Sequence, residues 1–278
     1  MPSKSSRSRF LHCEIPMPEA VEDILRRIPI WRGDNMRGIE EIQGGWTNRN
    51  YKIDLDRGSY VLRLKGEGTD LLGIDREQEH RVARLAGEAG VAPRVVYCSE
   101  PDGIMVTEYF EGKHFSRDEA AQPESIERLA LTLRKIHSLR TACAPFCPFQ
   151  RAIEWLRTAS QCGVNVPDEF ASIADRIQPV RDSAYSHSYS ECLCHNDLAL
   201  SNILDHDGLK VVDWEHAGTG NPLFDLASLA VNAQLPPGSE RLLLAAYFEK
   251  GQAPHEEALR ARRCAVAPRP PRGAASCR

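Results

Sequence analysis

Apolar and polar positions alternate through much of the first 110 residues, which predicts an antiparallel sheet with one inserted helix. The spacing of apolar residues in 18–28 predicts a helix ahead of the sheet. Residues 39–65 contain three predicted strands, separated by a glycine turn and by the tight turn "DRG". The segment 75–90 predicts a helix that ends at Gly90. Two further strands are predicted in "RVVYCSE" and "GIMVTEYF".

A helical period replaces the alternation in the later part of the chain. Ile126, Leu129, Leu133 and Ile136 fall on one face of a helix predicted over 124–139. "LKVVDWEHAG" reads as a short strand that runs into a glycine turn. Further helices are predicted in "AIEWLRTA", "FASIADRI", "FDLASLAVNA" and "ERLLLAAYFEK".

These patterns predict an α+β protein in three parts. Residues 1–109 form a lobe of sheet and helix, and residues 110–255 form a second, mainly helical lobe. Residues 256–278 are rich in Arg, Ala and Pro and have no sustained apolar period, which predicts disorder. This tail is either native and flexible or the product of a frameshift or truncation, and the sequence leaves both interpretations open.

Composition narrows the class of protein and its partners. Hydrophobic residues make up 42% of the chain, no apolar run is long enough to span a membrane, and the start lacks a secretory signal. A net charge of −4 gives no case for nucleic acid or membrane as a partner. Nine scattered cysteines favour reduced thiols and a cytoplasmic location. The close pairs Cys143/Cys147 and Cys192/Cys194 lack the C-x2-C spacing of zinc sites, so no cysteine metal site is expected.

Hard polar residues interrupt the apolar stretch "CHNDLALSNIL" at 194–204. His195, Asp197 and Asn202 lie within it, and Asp213 follows a short apolar strand. A carboxylate at the end of a buried strand, facing a loop with another Asp and an Asn, indicates a magnesium site. The alternative is an ordinary turn, in which Asp and Asn are also common.

Three features upstream of this loop could together form a phosphate site. The turn Gly44-Gly45 lets the backbone approach a ligand closely. Arg63 lies on a strand and carries a planar fork that suits phosphate oxygens. Glu79, on the following helix, could orient it. Each also has a structural explanation: a plain turn, an exposed strand arginine and a solvated helix face.

Together these segments resemble the kinase-like small-molecule phosphotransferases, which include aminoglycoside phosphotransferases, choline and ethanolamine kinases, and thiamine kinases. The resemblance covers about residues 38–250 and implies a protein-kinase-like bilobal fold. "GGWTNRNY" resembles the phosphate loop of that family. "YVLRL" resembles its phosphate-contacting strand, with Arg63 where many members carry Lys. "VTEYFEG" is similar to the segment that meets adenine. "CHNDL" and "DWEHAGTGNPLFDLA" look most like bacterial choline/ethanolamine kinases.

The resemblance implies ATP and Mg²⁺ as cofactors and gives each motif residue a role. Asp197 would be the catalytic carboxylate, and Asn202 and Asp213 would be the magnesium ligands. His195 and Asp225 would support the loop. The residues implied in nucleotide binding are Gly44, Gly45, Thr47, Asn48, Arg63, Glu79, Glu108, Tyr109 and Phe110.

The acceptor favoured by the resemblance is choline or ethanolamine, and the expected assembly is a monomer or homodimer. Quaternary ammonium groups are recognised by aromatic faces with a carboxylate nearby. Trp214 and Glu215 are the candidates, and Trp155, Phe224 and Tyr247 are further aromatic residues. An aminoglycoside or thiamine is an alternative acceptor. A non-catalytic pseudokinase module that binds a nucleotide or partner is the alternative function.

Overall fold

The computed structural model of the 278-residue chain describes residues 21–43, 47–66, 68–167 and 190–248. Three of the predictions made from the sequence lie outside these ranges. They concern the glycine turn at Gly44 and Gly45, the helix predicted in "FASIADRI" and the C-terminal tail.

A five-stranded antiparallel sheet, in the order β1-β2-β3-β5-β4, forms the first part of the fold. Its alternation is clearest in the second strand, where Tyr51, Ile53 and Leu55 are buried on one side. They share a hydrophobic cluster with Ile28 and Trp31, which follow a short helix ahead of the sheet. The elements are α1 (Val21–Arg27), β1 (Met36–Ile42), β2 (Asn48–Leu55), β3 (Gly58–Lys65), β4 (Val95–Ser99) and β5 (Ile104–Glu108).

Helix α2 (Arg76–Glu88) lies between β3 and β4, as the sequence predicts. The side chain of Asp75 caps its first turn by accepting from the backbone N–H of Gln78 at 3.0 Å. Glu79 lies on the same face as Val82, Ala83 and Ala86, because these positions follow the helical spacing. All four side chains are buried, so this face carries a carboxylate into the interior.

The second part combines helices with short strands. Strand β6 pairs with β8 and β8 with β9, while β7 pairs with β10, and both arrangements are antiparallel. The helices are α3 (Arg117–Ala120), α4 (Pro123–Ser138), α5 (Pro148–Gln161), α6 (Pro222–Asn232) and α7 (Pro237–Tyr247). The strands are β6 (Lys113–His114), β7 (Cys192–Cys194), β8 (Ile203–His206), β9 (Gly208–Val211) and β10 (Gly218–Gly220).

The main core lies among α4, α6 and α7. Ile126, Leu129, Leu133 and Ile136 are buried along α4, as their spacing predicts. Each fully buried side chain of this kind contributes about 1.5–3 kcal/mol relative to an exposed one. The buried face of α2 belongs to this core and not to the cluster under the sheet. Within the described ranges, no helix has both the length and the apolar character needed to cross a membrane.

Candidate functional site

A buried ion pair between β3 and α2 forms the first half of the site. Arg63 is 8% exposed and Glu79 is 2% exposed. Nη2 of Arg63 donates to Oε1 of Glu79, and Nη1 lies 3.4 Å from Oδ1 of Asp213. The structure therefore excludes the two alternatives, an exposed strand arginine and a solvated helical glutamate. Removing one member of such a pair typically costs about 3–5 kcal/mol, because the other charge stays buried.

Arg76, the first residue of α2, joins this pair and was missed from the sequence. Its Nη1 donates to the second carboxylate oxygen of Glu79 at 2.6 Å, so both oxygens of Glu79 face a guanidinium group. Burial lowers the pKa of Arg76, and the positive charge of Arg63 lowers it further. Arginine nevertheless stays protonated in proteins. Helix spacing could have revealed Arg76, because it lies three residues before Glu79 and residues three apart are neighbours on a helix surface.

Glu215 connects the sheet to the second part of the chain. Its Oε1 accepts from Oγ1 of Thr47 at 2.8 Å, and its Oε2 accepts from Nδ2 of Asn48 at 2.9 Å. Oε2 also lies 3.6 Å from Nη2 of Arg63 and 3.5 Å from Nη1 of Arg76. Glu215, which was predicted to bind the acceptor substrate, is thus held against the segment that resembles the phosphate loop.

The backbone of Val212 ties the polar loop to the strand that precedes Asp213. Nε2 of buried His195 is 3.0 Å from the carbonyl oxygen of Val212, and its Nδ1 accepts from the N–H of Asp197 at 3.3 Å. These partners select the neutral imidazole protonated on Nε2. The N–H of Val212 donates to the carbonyl oxygen of Asn202 at 2.9 Å. Asp213 then takes a left-handed φ of 69°, a strained backbone that functional sites often retain.

Asp197, Asn202 and Asp213, the predicted catalytic residue and metal ligands, all carry oxygen donors. Nδ2 of Asn202 donates to the carbonyl oxygen of Asp197 at 2.9 Å and lies 3.3 Å from its Oδ2. In this orientation the amide oxygen of Asn202 has one protein contact within the described part of the chain, a long hydrogen bond of 3.5 Å from the hydroxyl of Ser201. Carboxylate oxygens of Glu79, Asp213 and Glu215 all lie within 4.8 Å of one another. The oxygens of Glu79 and Glu215 face Arg63 and Arg76, whereas the oxygen donors of Asn202 and Asp213 are of the type that Mg²⁺ prefers and fit the ion.

Asp225 supports the start of the loop from below. It is fully buried and accepts from the backbone N–H groups of His195 and Asn196, each at 2.7 Å. Nε2 of His137 lies 3.0 Å from the same carboxylate. Burial raises the pKa of Asp225, but the hydrogen bond from His137 and the neighbouring donors outweigh it, so the pKa lies below its ordinary value. Asn196 meanwhile adopts a left-handed φ of 64°.

Trp214 lies in the core beneath the loop. Its exposure is 2%, its Nε1 donates to the carbonyl oxygen of Val211 at 3.0 Å, and its ring centroid is 4.8 Å from that of His195. The structure does not bring this predicted acceptor residue to an open surface. Its position supports packing against the loop and not direct contact with an acceptor.

A group of aromatic rings surrounds His216, the residue after Glu215. The His216 ring centroid is 5.7 Å from that of Trp155 and 6.2 Å from that of Phe146. Phe224 continues the group, at 6.4 Å from Phe146. Burial lowers the pKa of His216, although nearby carboxylates oppose the shift, so the ring is neutral near pH 7. Sequence reasoning selected Trp155 and Phe224 but missed Phe146 and His216.

The segment predicted to meet adenine links β5 to β6. The N–H of Tyr109 donates to the carbonyl oxygen of Ser59 at 3.0 Å, which fixes this connection to β3. Glu108 pairs with Arg94, and the ring of Phe110 lies near that of His206. A surface cavity of about 430 Å³ lies beside the segment but is lined by none of the residues predicted to bind the nucleotide. Its lining residues are Glu111, Gly112, Lys113, Asp205 and His206.

Comparison with known proteins places this chain among phosphotransferases. The model of the phosphotransferase enzyme family matches residues 38–262. The chain is 24% identical to Protein LicA of Haemophilus influenzae over 221 residues, which are 77% of this chain and 63% of LicA. It is also 24% identical to ethanolamine kinase 2 of Rattus norvegicus, over 76% of this chain and 57% of the relative. The chain thus spans about three fifths of the length of these two relatives.

Solved structures share the fold. A choline/ethanolamine kinase family protein from Mesorhizobium loti superposes with a TM-score of 0.71 at 27% identity, covering 88% of this chain and 81% of the other. Choline kinase LicA from Streptococcus pneumoniae gives a TM-score of 0.74 at 21% identity, covering 87% and 85%. LicA has also been solved in complex with AMP. The predicted α+β, protein-kinase-like fold is therefore confirmed.

Proposed function

The chain belongs to the phosphotransferase enzyme family, and from this membership we propose that it transfers the γ-phosphoryl group of ATP to the hydroxyl group of a small molecule, with Mg²⁺. The observation that carries the proposal is the convergence of Arg63, Arg76, Glu79 and Glu215 beside Asp213. The nucleotide would bind between the lobes 1–109 and 110–255.

Phosphoryl transfer depends mostly on positioning and on stabilising negative charge. Arg63 and Arg76 supply two guanidinium groups, whose geometry suits phosphate oxygens. Asp213 and Asn202 would hold Mg²⁺, which would neutralise phosphate charge when bound. Glu79 keeps both guanidinium groups in place through its two carboxylate oxygens.

Asp197 is the group proposed to meet the acceptor. A carboxylate is a weak base, so it orients the alcohol by accepting its hydrogen bond and takes the proton late, as the new oxygen–phosphorus bond forms. The hydrogen bonds from Asn202 to its carbonyl and carboxylate oxygens restrict its orientation. His195 and Asp225 hold the loop that carries it.

The proposed acceptor is choline or ethanolamine. Trp155, Phe146 and Phe224 form an aromatic group around His216, whose Nε2 lies 3.7 Å from Oε1 of Glu215. Aromatic faces attract quaternary ammonium groups, which supports choline over a neutral alcohol. The names of the similar ethanolamine kinase and choline kinase point the same way.

A cytoplasmic location completes the proposal. Cys98, Cys143, Cys162, Cys192 and Cys194 are not in disulfides, which fits a reducing compartment.

A screen of ATP consumption tests the proposal. Purified protein is incubated with ATP and choline, ethanolamine, thiamine or an aminoglycoside, each with and without Mg²⁺. We expect turnover with choline or ethanolamine that disappears without the metal. Turnover with only another acceptor would refute the acceptor assignment. Calorimetric ATP binding with no turnover on any acceptor would favour the pseudokinase alternative, and binding indifferent to Mg²⁺ would contradict the metal site.

A further inference from the structure

A second cluster of chemically reactive side chains contacts Asp225 through His137. It consists of His137 on α4 and of Cys192 and Cys194 on β7. One ligand-type atom from each residue lies within 4.8 Å of the other two. The proposed phosphoryl transfer uses none of the three.

The two thiols are already spaced as metal ligands. Cys192 and Cys194 are two apart on a strand, so their side chains point to the same face. Their Sγ atoms are 3.8 Å apart. Tetrahedral Zn²⁺ with Zn–S bonds of about 2.3 Å holds two sulfur atoms about 3.8 Å apart, the separation seen here.

His137 supplies a nitrogen in the form that a metal requires. Its Nε2 lies 3.0 Å from the carboxylate of Asp225, which is the natural acceptor for an N–H on that atom. Nδ1 then carries the lone pair and accepts from the hydroxyl of Tyr247 at 2.6 Å. A carboxylate behind the far nitrogen of a histidine is the usual second partner in zinc sites, because it fixes the tautomer and the ring.

We propose that His137, Cys192 and Cys194 form a Zn²⁺ site, with Nδ1 of His137 and the two Sγ atoms as ligands. The hydroxyl of Tyr247 yields its place on Nδ1 to the metal, and it or water fills the fourth position. Both thiols release their protons to solvent on binding, and two thiolates then balance the charge of the ion.

The short C-x-C spacing argued against a zinc site in the sequence. The third ligand comes from α4, which lies far from β7 along the chain but next to it in the fold. The zinc proposal does not rest on the proposed function, because it concerns only the affinity of these three residues for Zn²⁺ and not phosphoryl transfer.

Zinc binding to the reduced, metal-free full-length protein tests the proposal. The protein, with any affinity tag removed, is titrated with Zn²⁺ against a chromophoric chelator, and with Cd²⁺ to detect the ultraviolet thiolate charge-transfer band. We expect one equivalent bound and the band present. Cys192→Ser should lower the affinity by more than about 10-fold, the loss that even an indirect partner of a metal site causes. The double variant Cys143→Ser/Cys147→Ser, which removes the other close pair, should bind as the wild type does.

Alkylation of the wild-type protein provides a second measurement that needs no variant. Zn²⁺ should protect Cys192 from iodoacetamide while Cys143 continues to react, as mapped by mass spectrometry. No binding by the wild type, or equal binding by Cys192→Ser, would overturn the proposal. Unchanged alkylation of Cys192 in the presence of Zn²⁺ would overturn it as well.

Discussion

Two charged regions flank the polar loop, and they are held together differently. In the ion-pair cluster of Arg63, Arg76, Glu79 and Glu215, charged side chains contact one another at distances up to 3.6 Å. Two of its members, Arg63 and Arg76, are the guanidinium groups proposed to bind phosphate. In the Asp225 network, one carboxylate accepts from backbone N–H groups and from His137, at 2.7–3.0 Å. The first region consists of contacts between charged side chains, and the second is fixed to the backbone of the loop.

We therefore expect variants in the two regions to affect different properties of the protein, turnover in one case and stability in the other. Variants of Asp197, and variants of the ion-pair cluster that keep its charges, should reduce turnover with little loss of stability. Variants in the Asp225 network should unfold the protein more easily, and any loss of turnover should follow from that.

Asp197→Asn should have the largest effect on activity. The amide keeps the shape of the side chain but loses the charge and the proton acceptor, so turnover should fall about 100- to 10,000-fold. ATP binding, followed by calorimetry, and the melting temperature should stay close to wild type. Near wild-type turnover would remove Asp197 from the proposed role. A large drop in melting temperature would place it in the fixed region instead.

Asp225→Asn should have the largest effect on stability. One acceptor oxygen becomes an NH₂ group that faces existing donors inside the core, which should cost about 3–5 kcal/mol of unfolding free energy. Urea unfolding measures this cost. Asp207→Asn, whose side chain is 95% exposed, is the matched control and should change the unfolding free energy very little. A small loss from Asp225→Asn would mean that the loop does not depend on this carboxylate.

The same residue predicts how stability depends on pH. The folded-state pKa of Asp225 lies below its ordinary value, so the carboxylate stabilises the folded state fully above the unfolded pKa of about 3.9. This contribution is lost as the pH falls toward the folded pKa, with a slope of at most about 1.4 kcal/mol per pH unit. Urea midpoints should therefore fall more steeply with acid in the wild type than in Asp225→Asn. Parallel curves would contradict the shift.

Arg63→Lys should have the smallest effect of the set. The ammonium keeps the positive charge, and the resemblance places Lys here in many relatives, but the planar fork is lost. We expect kcat/KM to fall about 3- to 10-fold, which corresponds to about 0.7–1.4 kcal/mol. Arg63→Ala, which leaves Glu79 with one cationic partner, should cost clearly more. Equal losses in both variants would show that the fork and not the charge decides.

Local patterns predicted the elements whose cause is local. The sheet strands β2 and β3 follow the alternation, α2 begins at a capping Asp75, and α4 buries the face that its spacing indicates. The short strands β6, β7, β8 and β10 were not predicted. They are two to four residues long. Strands β6, β7 and β10 exist because distant segments pair with them, as β10 does with β7, whereas β8 also forms a hairpin with β9.

The residues of the candidate site also divide into those that local sequence reveals and those that only the tertiary fold brings together. His195, Asp197, Asn202 and Asp213 could be selected because a fixed spacing brings them together in sequence. Arg76 was missed although helix spacing places it beside Glu79, because only the tertiary fold brings Glu215 to the same guanidinium group. The surroundings of Trp214 were also out of reach, since only the tertiary fold shows that its ring lies against His195.

Helix α2 has a consequence for building hybrids between members of this family. Its buried face, with Val82 and Ala86, packs in a core that joins Met105 of β5 to the helices of the second part, and Nε2 of Gln78 donates to the carbonyl oxygen of Ala217 at 2.8 Å. The Arg63–Glu79 pair ties α2 to the sheet as well, so the helix bridges both parts of the fold. A graft that exchanged everything before residue 109 would therefore place a foreign helix face against the recipient's core. A graft of the sheet strands alone would have to carry a cation that reaches the resident Glu79.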